Sequence, residues 1–194
     1  MIHDRVVIIN GGVHFGIARA LCMYLKRPVD NLTSVLRALK VKEKPMSTTI
    51  RPITPADYDA WARLYHGYAE HYQVALNADG LAATWGWLMD KGHPVTGLVA
   101  QDDCEILGLA HYRAMPSPLR GAEVGFLDDL FVDPSARGAQ VGEQLLEALK
   151  QIAVSNGWPV IRWITRDNNY RARALYDRVA VKSDWNTYEM LTGV

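Results

Sequence analysis

The spacing of apolar residues changes repeatedly along residues 46–194, and each change predicts a different kind of element. Short alternating or continuous apolar runs are typical of strands. Six such runs cover residues 48–53, 95–103, 105–115, 122–134, 160–165 and 184–191. Asp-Asp and Pro-Ser-Pro turns separate the three central runs, so we predict three consecutive strands joined by short connections.

Helical spacing fills the intervals between the predicted strands. The pair Thr54-Pro55 begins a first helix, and a second helical stretch ends near Gly92. A third helix has the longest apolar face, which consists of Val141, Leu145, Leu146, Leu149, Ile152 and Ala153. A fourth, shorter helix has its apolar residues at Ala172, Leu175, Tyr176 and Val179. The order β-α-α-β-β-β-α-β-α-β predicts an α/β (α+β) fold, in which helices cover both faces of a mixed, mostly antiparallel central sheet.

The first 45 residues differ from the rest in charge and in pattern. They carry a net charge of +5 and residues 46–194 a net charge of −5, so we predict an N-terminal extension over 1–45 and a main domain over 46–194. The extension has a short apolar run followed by Gly11, Gly12 and Gly16, a βα-like arrangement similar to the nucleotide-binding turn of short-chain dehydrogenases. A dinucleotide site also needs further βα units, so a nucleotide-dependent oxidoreductase is a minor alternative.

Composition narrows the class of protein. Hydrophobic residues make up 49% and charged residues 22% of the chain, and the net charge is zero, which gives no sign of a nucleic-acid partner. No apolar run is long enough to predict a membrane partner. The two cysteines, Cys22 and Cys104, lie far apart, which argues against a metal site and favours a reducing, cytoplasmic location.

One loop has the features of an anion site. The stretch "PSARGAQVG" places Gly138 and Gly142 between a strand and a helix. The unpaired N–H groups of a first helical turn and the helix dipole together attract anions such as a pyrophosphate. A plain surface turn is the alternative reading of the same residues.

This loop and a later element resemble the GNAT superfamily of N-acetyltransferases. Residues 137–142 fit the family's R/Q-x-x-G-x-G/A pattern at both ends, with Gln140 where the family usually has glycine. The stretch "NNYRARALY" is similar to the N-x-x-A-x-x-L-Y element through Asn169, Ala172, Leu175 and Tyr176. "LDDLFV" and "TYEM" are similar to the yeast histone and polyamine acetyltransferase group and its bacterial relatives. The resemblance implies the GNAT fold over about 145 residues.

The resemblance also implies where acetyl-CoA, as co-substrate, is bound. A strand that ends in Leu130, Phe131 and Val132 is expected beside the pantetheine arm, with a backbone N–H stabilising the oxyanion. The residues expected at the pyrophosphate are Arg137, Gly138, Ala139, Gln140, Val141 and Gly142. The side chain of Gln140 either crowds the ligand or points to solvent. Asn169 is expected to contact CoA or to cap a helix.

In the family, the amine attacks the thioester directly in a ternary complex. Tyr176 matches the tyrosine that protonates the leaving thiolate, although its helix face also suits a core aromatic. Asp128 matches a proposed base of the polyamine acetyltransferases. The alternatives are Asp129, which strand alternation places on the opposite side of the strand, and Glu123. An aspartate of pKa about 4 is a weak base toward an ammonium of pKa about 10, so a water relay or a raised pKa is expected. Each acid also suits a salt bridge.

The implied acceptor is a small amine, an amino acid, a polyamine or an exposed lysine. Most aromatic residues of the first two helices are expected in the core, and one or two at an acceptor pocket. These aromatic residues are Trp61, Tyr65, Tyr68, Tyr72, Trp85 and Trp87. His111 and Tyr112 are further pocket candidates. The resemblance also makes a homodimer an expectation, and a non-catalytic acyl-CoA-binding regulatory module is the alternative to an enzyme.

Overall fold

The computed structural model describes residues 48–103 and 105–193 of the chain. The predicted N-terminal extension, residues 1–45, and its boundary lie outside the described residues. The elements in chain order are β1 (Thr48–Pro52), α1 (Tyr58–Tyr72), α2 (Ala78–Met89), β2 (Thr96–Asp102), β3 (Glu105–Ser117), β4 (Ala122–Val132), α3 (Val141–Ser155), β5 (Ile161–Arg162) and α4 (Tyr170–Val179).

The five strands form one sheet in the order β1-β2-β3-β4-β5. Neighbouring strands are antiparallel from β1 to β4, and β5 is parallel to β4. One face of the sheet packs on α3 through buried residues such as Leu145, and the other packs on α1 and α2 through residues such as Trp61 and Leu64. The predicted mixed, mostly antiparallel sheet with helices on both faces is confirmed.

The start of α1 is fixed to β1 by hydrogen bonds to one buried carboxylate. Thr54 donates its backbone N–H to Asp57 at 2.7 Å and its hydroxyl at 2.8 Å. Arg51 of β1 donates two guanidinium N–H groups to the two oxygens of Asp57, each at 2.7 Å. These bonds lower the pKa of Asp57 to about 2, and the bond from Arg51 has the largest effect.

The C-terminal part of the sheet is smaller than the sequence predicts. The predicted strand 160–165 is reduced to the two residues of β5. The predicted strand 184–191 was wrong, because these described residues form no strand and Trp185, Tyr188 and Leu191 are exposed. The residue types of this segment favour a pleated strand. A strand also needs a neighbour with free backbone groups, and β5 has only two residues for such a ladder.

Within the described residues, no helix has both the length and the apolar character that crossing a membrane requires.

Candidate active site

Strand β4 extends past the end of β5 and has free backbone groups on that side. Among the described residues, β5 pairs with β4 only at Gly125 and Phe126. Asp133 donates its N–H to the carbonyl oxygen of Leu107 in β3 at 2.8 Å. Since N–H directions alternate along a strand, the N–H groups of Leu130 and Val132 point away from β3. Two donors therefore face the gap beside β4.

A cavity of about 430 Å³ lies at this gap. Its walls are the end of β4, the loop before α3, the first turn of α3, one face of α4 and the last residues of α1. Ten of the eleven residues predicted to bind the cofactor line it. The exception is Ala139, whose N–H donates to the carbonyl oxygen of Ala136 at 3.4 Å and whose side chain packs on the core at α3.

Helix α3 opens into this cavity with free N–H groups. Its first helical hydrogen bond runs from the N–H of Gln144 to the carbonyl oxygen of Gln140 at 3.0 Å. The N–H groups of Val141, Gly142 and Glu143 therefore precede the regular ladder, and they form the positive end of the helix dipole.

Two residues of the loop before α3 have left-handed backbone conformations. Gly138 has φ of 92° and Gln140 has φ of 60°. An L-residue pays about 1–2 kcal/mol for this conformation, which explains why glycine suits position 140. Gln140 itself is exposed. The loop therefore keeps the turn that a glycine would make, at the cost of backbone strain.

Polar side chains that sequence reasoning did not assign to the cofactor also line the cavity. They include His71, Arg171 and Arg178, and Arg178 pairs with Glu143 at 3.1 Å. Arg171 and Arg178 lie seven residues apart on α4, and this helical spacing is the signal that could have found them. His71 comes from α1, far away in sequence, and only the tertiary fold brings it here.

Tyr72, expected at the core or the acceptor pocket, lines this cavity instead. The side-chain amide of Asn169 donates to the Tyr72 hydroxyl at 3.3 Å, and the guanidinium of Arg166 lies 5.1 Å from the centre of the Tyr72 ring. The carbonyl oxygen of the same Asn169 amide accepts the N–H of Ala172 at 3.3 Å. Asn169 therefore caps α4 and also connects α4 to the end of α1.

Tyr176 reaches both the cavity and the core. Its ring packs edge-on against Trp163 with ring centres 5.3 Å apart. Burial, with a smaller effect from Tyr72, raises the pKa of Tyr176 to about 12. The phenol therefore keeps its proton at neutral pH and can donate it or hydrogen-bond with it.

A β-bulge places the two aspartates of β4 differently from the prediction. Tyr112 pairs with Leu127 and His111 pairs with Asp129, so Asp128 is an extra residue on β4. The prediction that Asp128 and Asp129 face opposite sides is wrong. Arg113 bonds Asp128 and His111 bonds Asp129, and these two partners, two residues apart on β3, share one face.

Asp128 forms an ion pair. The Nε of Arg113 donates to both its carboxylate oxygens at 3.2 Å, and the same guanidinium lies 4.9 Å from the centre of the Phe126 ring. Burial raises the pKa of Asp128, although Arg113 acts in the opposite direction. Glu123, the third predicted acid, is exposed near the start of β4, opposite Pro116.

Asp129 is held by an almost fully buried histidine. The Nδ1 of His111 lies 2.8 Å from Oδ2 of Asp129, and the Nε1–H of Trp61 donates to Nε2 of His111 at 2.9 Å. Tyr65 is the next neighbour, with its hydroxyl 3.5 Å from the same carboxylate oxygen. Burial, followed by the charge of Asp129, raises the pKa of Tyr65 to about 12. Sequence reasoning named His111 as a pocket candidate but did not predict this chain of contacts.

The remaining aromatic candidates divide between the core and the surface. Trp61 and Trp85 belong to the core at α1 and α2. Trp87 is exposed and stacks on His93. Tyr112 packs against the core on the α3 side of the sheet. Tyr65 and Tyr68 are half-buried on the same face of the sheet as the two aspartates.

Comparison with known proteins identifies the family. The profile of the acetyltransferase (GNAT) family matches residues 61–180. The chain therefore belongs to the GNAT family of acetyltransferases.

Two curated relatives cover most of the domain. The D-amino-acid N-acetyltransferase HPA3 of Saccharomyces cerevisiae is 30% identical over 142 residues, which are 72% of this chain and 88% of HPA3. The uncharacterized N-acetyltransferase YhfO of Bacillus subtilis is 30% identical over 135 residues, which are 70% of this chain and 90% of YhfO.

Solved structures share the fold. The aminoglycoside N-acetyltransferase AAC(6′)-Iy, solved in complex with CoA, superposes with a TM-score of 0.66 at 17% identity. The match covers 79% of this chain and 99% of that one.

Proposed function

We propose that this protein transfers the acetyl group of acetyl-CoA to a primary amine by direct attack in a ternary complex. The acceptor is the amine of a small molecule, an amino acid, a polyamine or an exposed lysine. The observation that carries the proposal is the cavity in which the free N–H groups of β4 and of α3 face the same space.

The cavity residues fit the two chemically different parts of acetyl-CoA. Its pyrophosphate is anionic and suits the N–H groups of Val141 and Gly142 at the positive end of α3. Its pantetheine arm has amide groups that pair with the free backbone of Leu130 and Val132, much as a strand would. Arg137 and Arg171 add positive charge at the cavity walls.

The same geometry supplies two functions needed for acyl transfer. Attack on the thioester places negative charge on the carbonyl oxygen, and the N–H of Leu130 is the donor that meets it. Cleavage of the carbon–sulfur bond leaves a thiolate, which takes the phenolic proton of Tyr176. Tyr176 regains a proton from the nitrogen of the newly acylated amine, so the enzyme ends the step unchanged.

The relatives support a nitrogen acceptor. The names of HPA3 and of AAC(6′)-Iy describe N-acetyltransferases that act on D-amino acids and on an aminoglycoside. Both classes of compound carry amines that are cationic at neutral pH, and the carboxylate of Asp129, whose ion-pair partner among the described residues is His111, suits such a group.

Calorimetric titration of acetyl-CoA, followed by an amine panel, tests the proposal. We expect micromolar binding, then release of CoA thiol with spermidine, D-alanine, L-lysine or Nα-acetyllysine amide. Gly142→Asp, which puts a carboxylate at the pyrophosphate site, should weaken binding at least tenfold. The matched control Gly86→Asp, on an exposed turn of α2, should not. Absence of binding would overturn the proposal, and binding without transfer to any amine would instead favour a regulatory acyl-CoA-binding module.

A further inference from the structure

We propose that Asp129, rather than Asp128, accepts the proton of the attacking amine, and that His111 and Trp61 position it for this role. The inference rests on the proposed function, because it concerns the acceptor side of the same reaction. It is carried by the hydrogen-bond chain from Trp61 through His111 to Asp129 and by the different charge environments of the two aspartates.

The chain of hydrogen bonds fixes the protonation state of His111. An indole N–H can only donate, so Nε2 of His111, 2.9 Å from Trp61 Nε1, must be unprotonated. The ring proton then lies on Nδ1 and is donated to Asp129 at 2.8 Å. His111 is 1% exposed and Trp61 is fully buried, so neither ring can turn away without disturbing the core. A neutral imidazole therefore orients the carboxylate and leaves its negative charge in place.

The two aspartates differ in how their charge is balanced. Asp128 faces the permanently charged guanidinium of Arg113, which bonds both its oxygens. Among residues 48–103 and 105–193, the ion pairs of Asp129 include no lysine or arginine; its partner is the neutral His111. An approaching ammonium would have to compete with Arg113 at Asp128, but at Asp129 it meets an unbalanced negative charge.

The hydroxyl of Tyr65, 3.5 Å from Asp129, belongs to a row of aromatic side chains on α1. The ring of Tyr65 stacks on Trp61 at 5.1 Å and lies 6.0 Å from the ring of Tyr68. These rings lower the local polarity without adding charge. A carboxylate in such surroundings favours a cationic partner such as a primary ammonium. The groups that titrate or carry charge near it are His111, Arg113 and Asp128 from the sheet and Tyr65 and Tyr68 from α1.

The proton transfer completes the reaction without a further reactant. The ammonium N–H bond breaks and an O–H bond forms on Asp129, which frees the nitrogen lone pair to attack the acetyl carbon. The carbon–sulfur bond then breaks, its electron pair leaves with sulfur, and Tyr176 protonates the thiolate as described above. Asp129 finally releases its proton to water, so one proton is produced for each amide formed.

Paired variants separate the two aspartates. With the amine that the wild type acetylates fastest in the panel, Asp129→Asn should lower kcat/KM for the amine about 100-fold at pH 7. The deficit should shrink as pH approaches the pKa of the amine, because solution then supplies free amine. Asp128→Asn should lower the same kcat/KM less than about fivefold. The affinity for acetyl-CoA should change less than twofold in both variants. Larger loss in Asp128→Asn than in Asp129→Asn would overturn the assignment.

Variants of His111 test the positioning role. His111→Leu removes the donor to Asp129 and should lower kcat about tenfold while KM for acetyl-CoA stays constant. His111→Asn retains an N–H near the place of Nδ1 and should recover most of the rate. Equal losses in the two variants would show that His111 serves only as a core residue.

A measurement without turnover makes failure of the two proposals distinguishable. Nitrogen NMR of the imidazole at pH 7 should show an unprotonated Nε2 in His111, and Trp61→Phe should remove this preference. An Nε2–H tautomer or a charged ring would overturn the inference even if the enzyme is active. If the wild type acetylates no amine in the panel, it is the proposed function that fails.

Discussion

Replacing Asp57 tests how the helix that carries Trp61 and Tyr65 is held to the sheet. Asp57→Asn removes the charge that accepts two hydrogen bonds from Arg51 and two from Thr54. The pKa of Asp57 falls from 3.8 to about 2 on folding. At 1.36 kcal/mol for each pKa unit, the charged form stabilises the folded state by about 2 kcal/mol at pH 7.

The sign of the pH dependence follows from the depressed pKa. The contribution is fully present above the unfolded pKa of 3.8 and is lost as pH falls through the folded pKa of about 2. About half of it should remain at pH 3. Urea unfolding of wild type and Asp57→Asn should therefore show a stability gap of about 2 kcal/mol at pH 7 that narrows at pH 3.

A neighbouring aspartate is the control for this prediction. Asp59, in the first turn of α1, is exposed, so Asp59→Asn should lower the free energy of unfolding by only a few tenths of a kcal/mol. If Asp57→Asn costs no more than Asp59→Asn at pH 7, or if its gap is independent of pH, the hydrogen bonds of Asp57 do not have the assigned energy.

Three further variants test the proposed cofactor site. Tyr176→Phe should lower kcat at least tenfold, and equally at pH 7 and pH 9, since the Tyr176 pKa of about 12 lies above both; a deficit that vanishes at pH 9 would contradict this. Gly138→Ala, at φ of 92°, should lower the free energy of unfolding by about 1–2 kcal/mol and weaken acetyl-CoA binding. Gly86→Ala in α2 should instead stabilise the folded protein slightly. Gln140→Gly should raise the melting temperature by a few degrees by relieving its positive φ, and Gln140→Ala should not; equal melting temperatures would argue against strain.

Local pattern was enough to predict most of the fold. The apolar spacing of α3 and α4 and the alternation of β1 to β4 follow from residues that are neighbours along the chain. The segment 184–191 has an equally strong pattern, but whether it becomes a strand depends on the length of β5, which no local feature encodes. The residue pattern of a segment therefore predicts which element it can form, and the available neighbouring strand decides whether that element forms.

The candidate site was predictable where a motif is contiguous. Gly138, Val141 and Gly142 lie within five consecutive residues, and the structure places them in one cavity. The bond between Asn169 and Tyr72 joins residues 97 positions apart, and neither carries a local sign of the other. The bulge at Asp128 was also missed, because an extra residue on one strand is defined only by the partner strand.

The bulge also puts two carboxylates on one face of the sheet where a regular strand would put one. Consecutive side chains of a regular strand point to opposite faces, so an aspartate pair without the extra residue would send one acid to the α3 side. Deleting Asp128 would restore regular pairing and leave Asp129 opposite His111, with the N–H groups of Leu130 and Val132 still facing the gap. The extra residue therefore doubles the negative charge on this face without altering the hydrogen bonds of the strand beyond it.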